Sequence, residues 1–443
     1  MQVSVEELGG LERRITVQVP SEKIDKEIQN RLLSLSRRVK VDGFRPGKVP
    51  FKMVKRLYGS QVRQEVLGDV LQSSFQDALH QENLRLVGGP TIEPKSMDEG
   101  VDMEYSATFE IFPEFELNGT EGLKVERPTA EITEADIDAM LETLRKQRTL
   151  WSDVDRPSQQ GERVTVDFEG KVDGQDFPGN KGENMPVILG AGTRLKEFED
   201  KLVGLRVGDE AEFDVTFPGN YHVQELAGKQ THFLVKVKAV AEPSLPEVND
   251  EFAAGFGIKE GGVEGLRKAL RENMERELRE GIKTIVKRQL MQGLWDANDI
   301  PLPQVMINQE IDQLAKQMGF PESAKAEEDK QAAAFKAQLF GPQARRRVAL
   351  GLLISRLVAT QQIKLDEAHV RERLASIAST YEEAAEVVQW YGSNPQALKE
   401  IRAMALEDQV MDWLLERAAV SDKPSSFDEI MRPAAAAATS AQE

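Results

Sequence analysis

From Val263 to Leu294, nine apolar residues (Val263, Leu266, Leu270, Met274, Leu278, Ile282, Val286, Leu290 and Leu294) recur every three or four positions without a break. That spacing places them on one stripe of an α-helix and leaves the charges to the rest of its surface. A helix of more than thirty residues spans parts of a structure rather than closing a single core. The chain is therefore expected to form several domains, which agrees with 443 residues against a prior of about 100–200 per domain. Helical spacing persists to the end of this half. Pro301-Leu302-Pro303 breaks it, and a second helix carries Ile307, Ile311, Leu314 and Met318. Gly341-Pro342 is expected to start another, through Val348, Leu352 and Leu357. Asp366 is a cap for Val370, Leu374 and Ile377; Ala384, Val387, Val388 and Tyr391 form a short helix ended by Gly392; Pro395 opens the last, with Leu398, Ile401, Ala405 and Trp413. This half carries no catalytic pattern. It reads either as a scaffold or as a cradle of Leu, Ile and adaptable Met able to hold many unfolded sequences. Periodicity does not separate a core stripe from an exposed one. From Pro433 onward the Ala-rich tail is expected to be disordered.

The N-terminal part mixes two periods. Leu11, Arg13, Ile15, Val17 and Val19 alternate with polar residues, a strand whose period only Arg13 breaks. Ser21 reads as an N-cap, and Ile24, Ile28, Leu32, Leu35 and Val39 predict a helix to about Val39. Pro50 opens a short helix that Gly59 ends, and a longer one follows through Val62, Val66, Val70 and Ala78. Gly88-Gly89-Pro90 reads as a turn, and Met103, Tyr105, Ala107, Phe109 and Ile111 make a half-buried strand, antiparallel to its neighbours. Glu114–Arg127 is an acidic connector that can pack on the C-terminal part. A helix with Ile132, Ile137, Met140, Leu141 and Leu144 follows, capped by Thr133 and closed by Trp151.

From Gly161 the texture changes to short strands and turns. Val164, Val166 and Phe168 alternate with charged residues, as do Ala211, Phe213, Val215 and Phe217, and Phe233, Val235, Val237 and Ala239. Asp173-Gly174 is a hairpin signal, Gly192–Leu202 a single short helix, and Glu242–Pro246 a linker. A small twisted sheet wrapped on one helix is expected.

Composition narrows the chemistry. With no Cys, disulfides, thiolate metal sites and a cysteine nucleophile are excluded, and the four His (80, 222, 232 and 369) have no metal-ligand spacing. No metal, cofactor or nucleotide signature is visible. The most apolar stretch, Val348–Leu357, contains Arg356 and is too short to span a bilayer, and no signal peptide is seen, so the chain reads as cytoplasmic, without a membrane partner.

Between Arg31 and Arg63, ten Lys and Arg stand against one acid, Asp42, in a chain of net charge −18. At the centre of this window is the loop Gly43-Phe44-Arg45-Pro46-Gly47-Lys48, where two Gly and a Pro stop both flanking helices. A basic, aromatic tip on an acidic body suits RNA phosphates or acidic protein, and is equally compatible with an ordinary surface loop.

This hexapeptide between two helices resembles, without a substitution, the ribosome-docking signature of the trigger factor family of bacterial chaperones, and the resemblance runs to about Arg432. In order and spacing, Val166-Asp167-Phe168-Glu169-Gly170, Asp173-Gly174-Gln175-Asp176-Phe177, Ile188-Leu189-Gly190 and Leu195-Lys196-Glu197-Phe198-Glu199 resemble the FKBP-type peptidyl-prolyl isomerase domain. The resemblance implies a multidomain α+β architecture. Residues 1–112 would be an α+β docking domain, and 113–150 a linker with a helix. Residues 151–243 would be an FKBP-like twisted antiparallel sheet with one short helix, 244–432 an all-α chaperone domain, and 433–443 a tail. It implies contact of Gly43, Phe44, Arg45, Pro46, Gly47 and Lys48 with the large ribosomal subunit near the exit tunnel. It also implies nascent and unfolded polypeptides as clients, and leaves open a homodimer off the ribosome. It places Phe168, Phe177, Leu195, Phe198, Tyr221 and Phe233 around a proline-isomerising pocket, though Phe168 and Phe233, on period-2 strands, equally suit a plain core. The chain departs from the FKBP pattern at Glu197, where Gly is usual, and at Pro178, where Asp is frequent; a charge at Glu197 is expected to alter the pocket's base and weaken the activity. The alternatives are a soluble isomerase acting on folded clients and a non-enzymatic ribosome-binding scaffold.

Overall fold

The computed structural model describes residues 1–41, 44, 49–177, 179–219, 221, 226–320, 326–379, 381 and 383–432, the side chains of 326–330 apart. Gly43, Arg45, Pro46, Gly47, Lys48, Pro178 and the tail from Pro433 lie outside the described residues. The chain divides into two compact units, each of two segments: Met1–Arg127 with Thr284–Lys423, and Pro128–Lys283 with Pro424–Glu443. The division at Lys283 falls inside the helix Gly262–Asp296, the long helix the spacing predicts.

In the first unit an antiparallel sheet runs in the order Gln2–Gly9, Glu12–Val19, Met103–Ile111, Leu86–Ser96. Ile15, Val17, Val19, Met103, Tyr105 and Ala107 are fully buried on its inner face against the helices Ser21–Ser36 and Phe51–Gln81. The strand Gln2–Gly9 was not predicted: its alternation is confined to Val3 and Val5, and only Val3 along it is half-buried. Arg13 breaks the period of its strand because its cross-strand neighbour is Glu7, with which it pairs at 3.2 Å.

Three expectations in this unit are corrected. Ser21 is not an N-cap: Pro20 holds that position, and the Ser21 amide donates to Asp102 Oδ1 at 2.9 Å, so a carboxylate from beyond the helix meets its exposed amides. Gly59 does not end a helix. Phe51–Gln81 is continuous, since an interior Gly costs only about 1 kcal/mol and Val54 and Val62 bury the same stripe on either side of it. Gly88-Gly89-Pro90 is a bulge within a strand rather than a turn: the register slips between Val87 and Thr91, and Gly88 takes φ +72°.

The same unit holds the helices Gln304–Gln317, Ala326–Gln361, Glu367–Ala378, Ala384–Ser393 and Pro395–Leu415. Glu110 at the end of its strand accepts from the amides of Gln304 at 2.9 Å and Val305 at 2.8 Å, satisfying a helix N-terminus. The connector packs as expected. The Asn298 carboxamide bonds both the N–H and the C=O of Asn118 at 2.8 and 2.9 Å, and Gln289 does the same to Glu126 at 2.8 and 2.7 Å. Pro342 stands inside Ala326–Gln361 rather than at a helix start; Phe340 and Ala344 on either side of it are buried against Ile307, Ile311 and Leu314, and this packing carries the helix through the lost hydrogen bond. Asp366 and Asn394 cap the helices that follow them. The apolar stripes prove mixed: Met318, Phe335, Leu339, Trp390 and Met404 are exposed, while Ile307, Leu314, Ile401 and Ala405 are core.

In the second unit Thr133 and Asp136 form a reciprocal capping box on the helix Glu134–Gln147. Arg267 bridges Glu134 and Asp138 at 2.5 and 2.6 Å, and Arg271 donates to the Ile132 carbonyl at 3.0 Å. Trp151 does not close that helix. It lies in the strand Leu150–Asp153, which pairs with the end of Gln230–Ser244, so the expected linker at Glu242 begins as strand. Along its other edge Gln230–Ser244 pairs with Arg163–Val172, which in turn pairs with Lys181–Ile188; Glu210–Thr216 shares the first edge. The short helix is Lys196–Leu202, packed on the sheet through Phe198 and Leu202. Asp173 and Gly174 take φ +50° and +78°, the left-handed pair that a tight hairpin turn needs.

Candidate functional site

Two glycines shape the sheet where the aromatic side chains gather. Phe168 faces Gly182 across its strand pair, and Phe233 faces Gly170. A Cβ at Gly182 would lie 2.4 Å from the Phe168 ring, and one at Gly170 would lie 2.7 Å from the Phe233 ring. Each ring therefore lies against bare backbone. The helix Lys196–Leu202 brings Phe198 onto both, with ring centroids 6.1 Å from Phe168 and 5.2 Å from Phe233. Opposite stands a second aromatic group. Phe217 sits 6.3 Å from Phe177 and 4.6 Å from Tyr221, with Leu226 packed beside them.

Between the two groups is a cavity of about 530 Å³. All six residues predicted from the sequence line it: Phe168, Phe177, Leu195, Phe198, Tyr221 and Phe233. Sequence reading missed Met185, Thr193, Arg194, Phe217 and Leu226 as lining. Phe217 had a signal, since it ends an alternating run just before the Pro218-Gly219 turn; Thr193 and Arg194 adjoin the Leu195 motif. Among the described lining residues Arg194 carries the only charge.

One buried acid fixes the rim. Glu199 is 1% exposed, and its carboxylate accepts from the amides of Gly190 at 2.9 Å, Gly192 at 3.1 Å and Arg194 at 2.9 Å. Three charge-assisted hydrogen bonds compensate its desolvation and hold the Gly190–Arg194 turn rigid. Sequence reading took Glu199 only as part of a motif. Glu197 corrects an expectation: it is exposed, does not line the cavity, and accepts from the Thr216 amide at 3.0 Å, so its charge ties the helix to a strand rather than entering the pocket's base. On the outer face, Lys238 and the Asn184 amide hold the Asp167 carboxyl below its usual range.

At the basic loop, Phe44 is the described tip residue. It is 36% exposed, and its amide donates to the Val41 carbonyl at 3.0 Å. Val49, the next described residue, is buried in the core. On the flanking helix ends Arg37, Arg38, Lys40, Lys52, Lys55 and Arg56 are all exposed, and none forms an ion pair among the described residues. Arg31 and Arg63, farther from the tip, are engaged with Asp69 at 2.5 Å and the Met97 carbonyl at 2.7 Å. A groove of about 600 Å³ lies between the two helices, and Glu27, Arg31, Arg38 and Glu65 line it with both signs of charge. Among the described residues no helix is long and apolar enough to cross a membrane.

Comparison with known proteins covers the chain from end to end. Family profiles described as bacterial trigger factor protein, FKBP-type peptidyl-prolyl cis-trans isomerase, and bacterial trigger factor protein C-terminus match residues 1–144, 154–239 and 262–416. The trigger factor of Thioalkalivibrio sulfidiphilus is 49% identical over 435 residues, 98% of each chain. That of Alkalilimnicola ehrlichii is 47% identical over 442 residues, covering 100% of this chain and 98% of its own. That of Stutzerimonas stutzeri is 46% identical over 436 residues, 98% and 99% of the two chains. A solved structure of the trigger factor chaperone is similar over 94% of this chain and 99% of its own, at 21% identity and a TM-score of 0.46.

Proposed function

The chain belongs to the trigger factor family, and from that membership we propose how its parts share the family's work. The protein is an ATP-independent, ribosome-associated chaperone for nascent polypeptides that also catalyses cis/trans isomerisation of X-Pro bonds through an FKBP-type domain. Residues 1–112 dock it to the large ribosomal subunit near the exit tunnel through Gly43, Phe44, Arg45, Pro46, Gly47 and Lys48. Residues 244–432 cradle nascent chains, and exposed Met318, Phe335, Leu339 and Trp390 support that reading. Off the ribosome a second copy of the chain occupies such surfaces, and the protein works in the cytoplasm. Residues 151–243 form the isomerase.

The observation that carries the isomerase assignment is the convergence of Phe168, Phe177, Leu195, Phe198, Tyr221 and Phe233 on one cavity of about 530 Å³. Rotation about X-Pro must break amide resonance, and the barrier is about 18–20 kcal/mol for an ordinary peptide bond. Water stabilises the planar, polar amide. In the aromatic cavity a bound proline exchanges that water for ring faces, and the twisted amide loses less than the planar one. Phe198, 5% exposed, forms the floor. The Tyr221 hydroxyl donates to the substrate carbonyl as the amide twists. No group needs to gain or lose a proton in this scheme.

Two measurements test these assignments. Exchange NMR on a capped Ala-Phe-Pro-Phe peptide should show Tyr221→Phe lowering kcat/KM about 3- to 10-fold, the effect of losing one transition-state hydrogen bond. Co-sedimentation with ribosomes should lose the Phe44→Ala/Arg45→Ala/Lys48→Ala variant while it stays folded. Unchanged turnover would remove the hydrogen-bonding role of Tyr221; unchanged sedimentation would leave a soluble isomerase.

A further inference from the structure

Among its described lining residues the isomerase cavity has one charged side chain, Arg194, and we infer that this residue makes the cavity select prolines flanked by an acidic residue. This rests on the assignment of that cavity as the isomerase site. Arg194 lines the cavity beside Thr193 and Leu195, and no acidic residue is among the described lining. Arg194 is exposed and forms no ion pair among the described residues. The two acids nearest along the chain are committed elsewhere: Glu197 to the Thr216 amide, and buried Glu199 to the amides of Gly190, Gly192 and Arg194 itself. The last of these bonds, at 2.9 Å, fixes the backbone from which the Arg194 side chain projects. Among the described residues, then, a cation is held at the rim with no carboxylate against it.

A client proline seated on Phe198 leaves the residues next to it at this rim. A carboxylate there gains a bidentate partner, whereas an ammonium meets a like charge. The site is open to solvent, so the gain is that of an exposed ion pair, about two- to five-fold in kcat/KM for Glu over Gln. Lys in the same place falls below Gln by a similar factor.

The test uses the full-length protein and capped, otherwise identical peptides with Glu, Gln or Lys immediately before proline, and a second set with the same residues immediately after. Exchange NMR gives catalysed rates after subtraction of each peptide's own uncatalysed rate. The readout is the Glu:Gln:Lys ratio, in which any general effect on turnover cancels. In at least one set the intact chain is expected to rank Glu above Gln above Lys; Arg194→Lys keeps that order, Arg194→Met levels it and Arg194→Glu inverts it. High salt levels it too. The same ratio in the intact chain and in Arg194→Met overturns the inference while the isomerase assignment stands. If Phe177→Ala and Phe198→Leu, each verified as folded, leave turnover of all three peptides intact, the cavity is not the isomerase site and both readings fall.

Discussion

In the roles proposed for them, the basic tip and the aromatic cavity use opposite kinds of recognition. At the tip, six cations at the ends of two helices are exposed and unpaired among the described residues, and the supporting core lies beneath them in Val54, Val62 and Leu32. In the cavity the lining groups are themselves core: Phe198 and Phe233 are 5% and 6% exposed and pack on Val166, Val235 and Leu202. Charge recognises without being buried, so a tip residue can change without loosening the fold. Apolar recognition draws on the same side chains that hold the domain together. Substitutions in the two regions should therefore leave different signatures, one separating function from stability and the other losing both.

The widest separation is expected at the tip. Phe44→Ala/Arg45→Ala/Lys48→Ala should weaken ribosome binding about 100-fold or more, from the loss of three contacts at about 1–3 kcal/mol each, with no change in thermal midpoint. Binding by the intact chain should weaken steeply with ionic strength, whereas turnover of a neutral proline peptide should stay flat. A large fall in midpoint for the triple variant would show the tip to be structural after all, and the contrast would be lost.

In the cavity, Phe198→Ala should cost about 3–5 kcal/mol of stability, as large-to-small core changes do, and abolish measurable isomerisation. Gly182→Ala comes next. A methyl group 2.4 Å from the Phe168 ring must push that ring into the cavity, for about 1–3 kcal/mol of overpacking. Turnover should fall about ten-fold while ribosome co-sedimentation stays intact. Chemical denaturation alongside exchange NMR reads both quantities. Turnover lost in Gly182→Ala without any loss of stability would mean that the cavity, like the tip, can be altered independently of its fold.

How legible each region was follows from the same contrast. The cavity's aromatic residues sit on period-2 strands and in short motifs whose order survives in the sequence, so Phe168, Phe177, Leu195, Phe198, Tyr221 and Phe233 could all be named. The hydrogen bonds that hold them could not. Glu199 reaches three backbone amides between five and nine residues back, a bond pattern with no periodic trace. Glu197 misled because the residue type was legible and its direction was not. The same failure recurs at Ser21, where a good capping residue stood at the right place and Asp102, 81 positions on, meets the amide instead. Gly59, Gly88 and Pro342 were read as breaks because local propensity was weighed without the buried neighbours that outvote it. The strand Gln2–Gly9 was missed for the converse reason: held mainly by backbone pairing to Glu12–Val19, it offers only the short alternation of Val3 and Val5.

The smallest effect is expected from Asp102, which belongs to the tip's scaffold rather than to the tip. Its two carboxylate oxygens take the Ser21 amide at 2.9 Å and the Gln18 side chain at 3.3 Å, at the start of one of the two helices that carry the loop. Asp102→Ala frees that helix end at a cost of about 1 kcal/mol, the usual worth of a cap. The helix is further held by buried Ile24 and Leu32, so its far end should stay in place. Ribosome affinity should then drop less than three-fold while the denaturation midpoint of the docking unit falls measurably, the reverse of the triple tip variant. A ten-fold loss of affinity in Asp102→Ala would instead make the tip's geometry as dependent on its core as the cavity's.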